Sequence, residues 1–335
     1  MADPPGGTSP ASGGPSRLRG TVPWVLAALF NHRAVATEAA GRTVFVFAGH
    51  GSRWADMAKE ILGSAPAFAA EMRRCDIAFS EHFDRSLLDV IRNDSVPRCR
   101  DGIDVVQPIS FAVMASLAAQ WRALGIHPDA VLGHSHGEIA AAYVAGGLSL
   151  RDAAAVVVQR AVAVGSLAKT GGMAAIAWPV DRVLARIERW GHSIFVAAYN
   201  GPSSTLVTGA AVAVDELIAA LARDDVPVAR VPVAYALHSA AIDELQATLR
   251  ESLSDLQPRA AEVPFISSVT GAGLDTSILD GDYWFANLRQ PVLFEQAIRW
   301  SYEHGYHTFI EASPEPVLTA GIQDSLNGYS ARTHA

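Results

Sequence analysis

The sequence predicts an α/β fold, and three observations carry that prediction. Short, fully apolar strands alternate with helical segments, as a buried parallel sheet requires. One of these strands, Ala130-Val-Leu132, runs into Gly133-His-Ser-His-Gly137 and then into an Ala-rich helix. A later stretch, residues 172–232, changes rhythm to strand, helix, strand, strand, helix, strand, the pattern of a split βαββαβ unit. The expectation is a large α/β-hydrolase-like domain around a parallel sheet, with a small ferredoxin-like subdomain inserted into it.

The elements follow in order along 335 residues. The opening MADPPGGTSPASGGPS is rich in Pro, Gly and Ser and lacks the apolar core of a signal peptide, so residues 1–20 read as a disordered leader. A helix is expected over 22–40. Thr43-Val-Phe-Val-Phe47 is an apolar, β-rich pentad that stops at the Gly-rich Ala48-Gly-His-Gly-Ser52, as a buried strand entering a turn would. Helices should follow through 57–62, 67–76 and 111–124, then the strand at 130–132, the Gly133–Gly137 turn, and helices at 138–145 and 153–167. Within the inserted unit, strands are expected at 173–177, 194–199, 205–208 and 226–231, with helices at 180–190 and 212–223. An apolar, strand-like run over 231–237 then ends at His238, and a new helix begins with Ser239. The core domain is therefore assigned to 21–170 and 235–328, and the inserted subdomain to 171–234.

Composition narrows the function. A formal charge of −8, from 34 acidic and 26 basic residues, leaves no basic stripe for phosphates, which argues against nucleic acid. No run of 18 uninterrupted apolar residues is present, which argues against a membrane span. Cys75 and Cys99 fall outside any CxxC spacing, so no disulfide framework is expected and a reducing cytoplasm fits.

The strongest chemical signal is the Gly-x-Ser-x-Gly at Gly133–Gly137, placed between strand and helix. A serine on such a turn exposes its hydroxyl, while the following backbone N–H and the helix N-terminus face the same point and can stabilise an oxyanion. Ser135 is thus the candidate nucleophile for acyl transfer through a serine ester. It needs a base, and composition does not choose among eleven histidines. His238 is favoured by its place at the end of a strand-like run, against the bland reading of an exposed loop histidine. His134 and His136 form an HxH pair, but no third ligand has suitable spacing, so no metal is expected. Arg160 lies in a segment otherwise made almost wholly of Ala, Val, Leu and Gly. With no acid at i±3 or i±4, its partner is either elsewhere in the fold or a ligand carboxylate.

Taken together these motifs resemble the acyltransferase domains of modular polyketide synthases and the malonyl-CoA:acyl-carrier-protein transacylases of fatty-acid synthesis. The resemblance runs through Phe45-Val-Phe-Ala-Gly-His-Gly-Ser-Arg-Trp54 (family FVFPGQGSQW), Asp104-Val-Val-Gln-Pro108, Gly133-His-Ser-His-Gly-Glu138 and Tyr199-Asn-Gly-Pro-Ser-Ser204. It continues through Tyr235-Ala-Leu-His238, Tyr283-Trp-Phe-Ala-Asn-Leu-Arg-Gln-Pro-Val292 and Glu311-Ala-Ser-Pro-Glu-Pro-Val-Leu318. It implies that Ser135 attacks an acyl-CoA thioester, that His238 takes its proton, and that a carrier protein's phosphopantetheine thiol collects the acyl group. It further implies a main-chain carbonyl at Asn287 that orients His238, and an oxyanion hole from the backbone N–H groups of His50 and His136. Gln107 would line the site, and Arg160 would grip the free carboxylate of a malonyl-type substrate. No bound cofactor is implied.

The chain departs from the family pattern at His50 and Arg53, which replace two glutamines, and at Glu315, which replaces a histidine. His136 stands where an apolar residue or Gln is usual. Methylmalonyl enzymes of the family carry YASH and malonyl enzymes HAFH. Here Tyr235 matches the first, while Leu237 is bulkier than its serine. The chain begins too close to its first motif for a ketosynthase and ends without a carrier domain, so a free-standing enzyme acting in trans in the cytoplasm is expected. The expected function is transfer of a methylmalonyl or malonyl unit to an acyl carrier protein in polyketide biosynthesis. Carrier-to-carrier transfer of an unusual starter acyl group, an editing thioesterase using the same acyl-serine, and a non-catalytic docking homologue are the alternatives.

Overall fold

A computed structural model describes residues 34–36, 41–49, 54–82, 86–92, 102–313 and 316–330. Their strands are β1 (Ala34–Ala36), β2 (Arg42–Phe47), β3 (Ala130–Gly133), β4 (Gly171–Ile176), β5 (Ile194–Gly201), β6 (Ser204–Ala210), β7 (Val228–Val231), β8 (Phe265–Ser267), β9 (Ala272–Leu274) and β10 (Tyr306–Glu311). They form two sheets.

The larger sheet runs β1-β10-β2-β3-β8-β9. Its centre, β10 to β8, is parallel, and both edge strands pair antiparallel. The apolar pentad in β2 follows from this placement, because the sheet is covered on both faces. Phe45 and Phe47 enter one core cluster, while Val44 and Val46 enter the other. All four are fully buried, as the two-residue period of a strand requires when neither face meets water.

Helix Ile103–Ala123 is the element of the described residues long and apolar enough to cross a membrane. Here it is a core helix, packed between Pro66–Phe79 and Leu150–Ser166. Phe111 meets Phe79 edge to face at 5.7 Å between ring centroids.

The second sheet runs β5-β6-β4-β7, wholly antiparallel, and helices Val180–Ile187 and Ala211–Arg223 supply its core through Val183, Ile187, Val214 and Leu217. This is the ferredoxin-like unit.

Two expectations need correction. Residues 34–36, placed in a helix over 22–40, instead form β1 against β10. The open sheet edge offers unpaired backbone groups there, which outweighs local helical preference. The remainder of that segment, like the leader, lies outside the described residues. The strand-like run over 231–237 is also not a strand, since β7 ends at Val231. Pro232 has no N–H to give a ladder, and the chain crosses irregularly to His238.

Candidate active site

β3 delivers Ser135 to the end of the parallel sheet, where helix Gly137–Ala145 starts. Ser135 sits at φ +53°, in the left-handed region, so the chain turns sharply beneath it. The flanking glycines are required by close approach. A Cβ on Gly133 would lie 2.2 Å from the Glu138 backbone, and one on Gly137 would lie 2.1 Å from the Phe47 carbonyl oxygen. The Gly-x-Ser-x-Gly spacing is therefore dictated by β2 and the helix pressing on the turn from both sides.

His238 is also left-handed, at φ +59°, and is 4% exposed. Its backbone N–H donates to the Leu288 carbonyl at 3.0 Å. Its Nδ1 lies 2.7 Å from the Gln290 carbonyl, an acceptor only, so Nδ1 carries the proton. Nε2 then presents a lone pair to Ser135 Oγ at 2.8 Å. Burial, aided by the nearby Arg160 and His134 and opposed by the Gln290 bond, pulls the His238 pKa down to about 3. The imidazole is neutral at neutral pH, as a general base must be.

The carbonyl holding His238 belongs to Gln290, which corrects the assignment to Asn287. Asn287 lies within helix Gly281–Arg289, whereas Gln290 just beyond it is extended (φ −78°, ψ 153°), the conformation forced on a residue preceding proline. That frees its carbonyl to turn toward the histidine. The segment is held by β5 of the small subdomain. Val292 donates to the Ala197 carbonyl and accepts from Tyr199 N–H, both at 2.9 Å.

Asn287 enters the site through its side chain instead. Its Oδ1 accepts from Arg160 Nη1 at 2.9 Å, and its Nδ2 donates to Glu138 Oε2 at 2.6 Å and to the Ser135 carbonyl at 3.2 Å. Arg160 is 1% exposed. Its Nε is buried without a hydrogen-bond partner, and among the described residues no acid comes within ion-pair distance of it. Burial draws its pKa down to about 10, against the upward pull of the Glu138 charge. Glu138 is wholly buried, and burial raises its pKa while the bonds it accepts oppose the shift. It receives Ser268 Oγ at 3.1 Å and Tyr283 OH at 2.9 Å, besides Asn287 and the Ser268 N–H.

Ser135, His136, Arg160 and His238 line one cavity of about 100 Å³ together with Gln107, Tyr235 and Leu237. His136 Nε2 donates to the Gln107 carbonyl at 3.1 Å, and Gln107 Oε1 is buried without a partner. His134 also lines this cavity, its Nε2 donating to Asn200 Oδ1 of β5 at 2.8 Å. His50, Arg53 and Glu315 lie outside the described residues. Among those described, no three His, Cys, Asp or Glu side chains gather as metal ligands would.

The sequence reading missed Gln290, Glu138 and Asn200. A glutamate in the first turn of an otherwise apolar helix is as conspicuous as Arg160 within its own, and was the available signal for Glu138.

Residues 44–334 match the family model described as acyl transferase domain. The mycoketide-CoA synthase of Mycobacterium tuberculosis (strain ATCC 25618 / H37Rv) is 48% identical over 88% of this chain and 7% of its own length. The acyltransferase domain from module 8 of the salinomycin polyketide synthase is 48% identical with a TM-score of 0.82, covering 86% of this chain and 68% of that one. A loading acyltransferase from the avermectin modular polyketide synthase is 44% identical with a TM-score of 0.83, covering 86% and 92%. The chain spans 4–15% of the length of the curated relatives it matches. The chain belongs to the acyl transferase domain family, alongside the acyltransferase domains of polyketide synthases.

Proposed function

We propose that this protein moves a malonyl-type unit, methylmalonyl ahead of malonyl, from CoA to the phosphopantetheine thiol of an acyl carrier protein in polyketide biosynthesis. Ser135 Oγ attacks the thioester carbonyl as its proton passes to His238 Nε2. The resulting oxyanion is met by the backbone N–H of His136, at the helix N-terminus. Collapse expels the CoA thiolate, which takes the proton from His238 and leaves the acyl group as an ester on Ser135. In the second half the carrier thiol gives its proton to His238, its sulfur attacks the ester carbonyl, and Ser135 leaves with the proton restored.

The observation that carries the substrate class is Arg160. A guanidinium buried beside the Ser135–His238 pair, bound to a neutral amide and with Nε unpartnered, is matched by a ligand carboxylate. The cavity volume favours a short acyl chain. Tyr235 supports methylmalonyl, while Leu237 limits the room beside an α-substituent.

Competition between paired acyl-CoAs, methylmalonyl against propionyl and malonyl against acetyl, tests this in wild type and Arg160→Ala. Losing a charge-assisted contact of about 1.5–3 kcal/mol should lower the carboxylated preference roughly 10- to 100-fold. A destabilised variant with unchanged preference would make Arg160 structural and favour a non-carboxylated starter acyl group.

A further inference from the structure

Arg160 is held in an unusual way for a buried cation, and the holding group is itself oriented by a second residue. A guanidinium in the interior ordinarily meets a carboxylate. Here it meets the side-chain oxygen of Asn287, 2.9 Å away. Which end of that amide faces Arg160 is fixed from both sides, since the guanidinium itself only donates. An ionised carboxylate only accepts, so Asn287 must turn its NH₂ toward Glu138 Oε2 and its oxygen toward Arg160. Glu138 does not swing over to pair with Arg160 directly, because Ser268 and Tyr283 also donate to its two oxygens.

We propose that Asn287 is a specificity-positioning residue: oriented by Glu138, it fixes the Arg160 guanidinium through a neutral contact and leaves its charge for the acyl carboxylate. This rests on the malonyl-type reading above. The negative charge of Glu138 lies one amide away and favours the charged guanidinium, yet it occupies none of the donors a substrate would use. A carboxylate at position 287 would compete with the substrate. An apolar residue there would leave the guanidinium free to move off its line to the Ser135 ester.

The test uses Asn287→Ala and the volume-keeping Asn287→Leu, with melting curves to establish folding, in the same paired competition assay. Both variants should lose about tenfold in the carboxylated-to-uncarboxylated rate ratio, the effect of one charge-assisted hydrogen bond. Any effect through the Ser135 carbonyl falls on both acyl groups and cancels in the ratio. Adding either change to Arg160→Ala should lower the ratio no further. If both rates fall together and the ratio holds in a folded variant, Asn287 is structural and the proposal is overturned. Wild type with no preference would instead overturn the malonyl-type reading and this proposal with it, and that result precedes any Asn287 variant.

Discussion

Ser135 and His238 share a left-handed backbone and a 2.8 Å contact, yet they are held by opposite means. The Ser135 turn is made locally by β3, the following helix and two glycines, with β2 pressing from one side. His238 ends an irregular crossing and is fixed by carbonyls fifty or more residues further on, at Leu288 and Gln290. Those carbonyls belong to a segment that β5 of the small subdomain holds through Val292. The Ser135 turn is thus built by the larger sheet and its helix alone, whereas His238 is set where the two sheets meet. Perturbations at that junction should reach His238 first.

The largest effect expected is from Ser135→Ala, which should abolish acyl-enzyme formation while leaving the fold intact. Labelling that persists would remove the local half of the comparison. His238→Ala should lower transfer by about 10²–10⁴-fold, the range for loss of a positioned base, as measured by single-turnover acylation. Near-normal acylation would place the base on another histidine.

Acid stability gives a smaller, signed effect. The folded His238 pKa is about 3 against an ordinary 6.5. Between these values the unfolded chain binds the proton and the folded one does not. This histidine's contribution to stability is therefore present above about pH 6.5 and lost as pH falls toward 3. Melting temperature should drop more steeply over that window in wild type than in His238→Gln, and equal slopes would deny that the imidazole is buried neutral. The smallest effect is expected from Gln290→Ala. Its side chain is exposed and the backbone supplies the contact, so activity and stability should stay within about 0.5 kcal/mol of wild type. A large loss in kcat would mean the side chain has a part of its own.

The same contrast explains what could be read from the sequence. The Gly-x-Ser-x-Gly turn was legible because the glycines that answer its constraints, from Glu138 and from Phe47 of β2, both fall within five positions. β2 was legible because burial on both faces leaves a continuous apolar run, and the small subdomain because its strands and helices alternate at regular spacing. The Gln290 carbonyl was not, since every residue has a carbonyl and only the following Pro291 hints that this one turns outward. Asn287, three positions earlier, serves Arg160 through its side chain instead. Arg160 was marked as needing a partner by its apolar neighbours, but the partner comes from a helix more than a hundred residues away. The run after Val231 has the apolar residues of a strand, but Pro232 stops the ladder.

In the proposed function, Ser135 carries a carboxylated acyl group on its way to a carrier protein. Intact-mass measurement of the enzyme mixed with a panel of acyl-CoAs, followed by peptide mapping and addition of a phosphopantetheine-bearing carrier, tests it directly. A methylmalonyl or malonyl adduct is expected on the Ser135 peptide, persisting in buffer and discharging onto the carrier. An adduct confined to uncarboxylated acyl groups, an adduct on another residue, or one that water removes as fast as the carrier does, would contradict it.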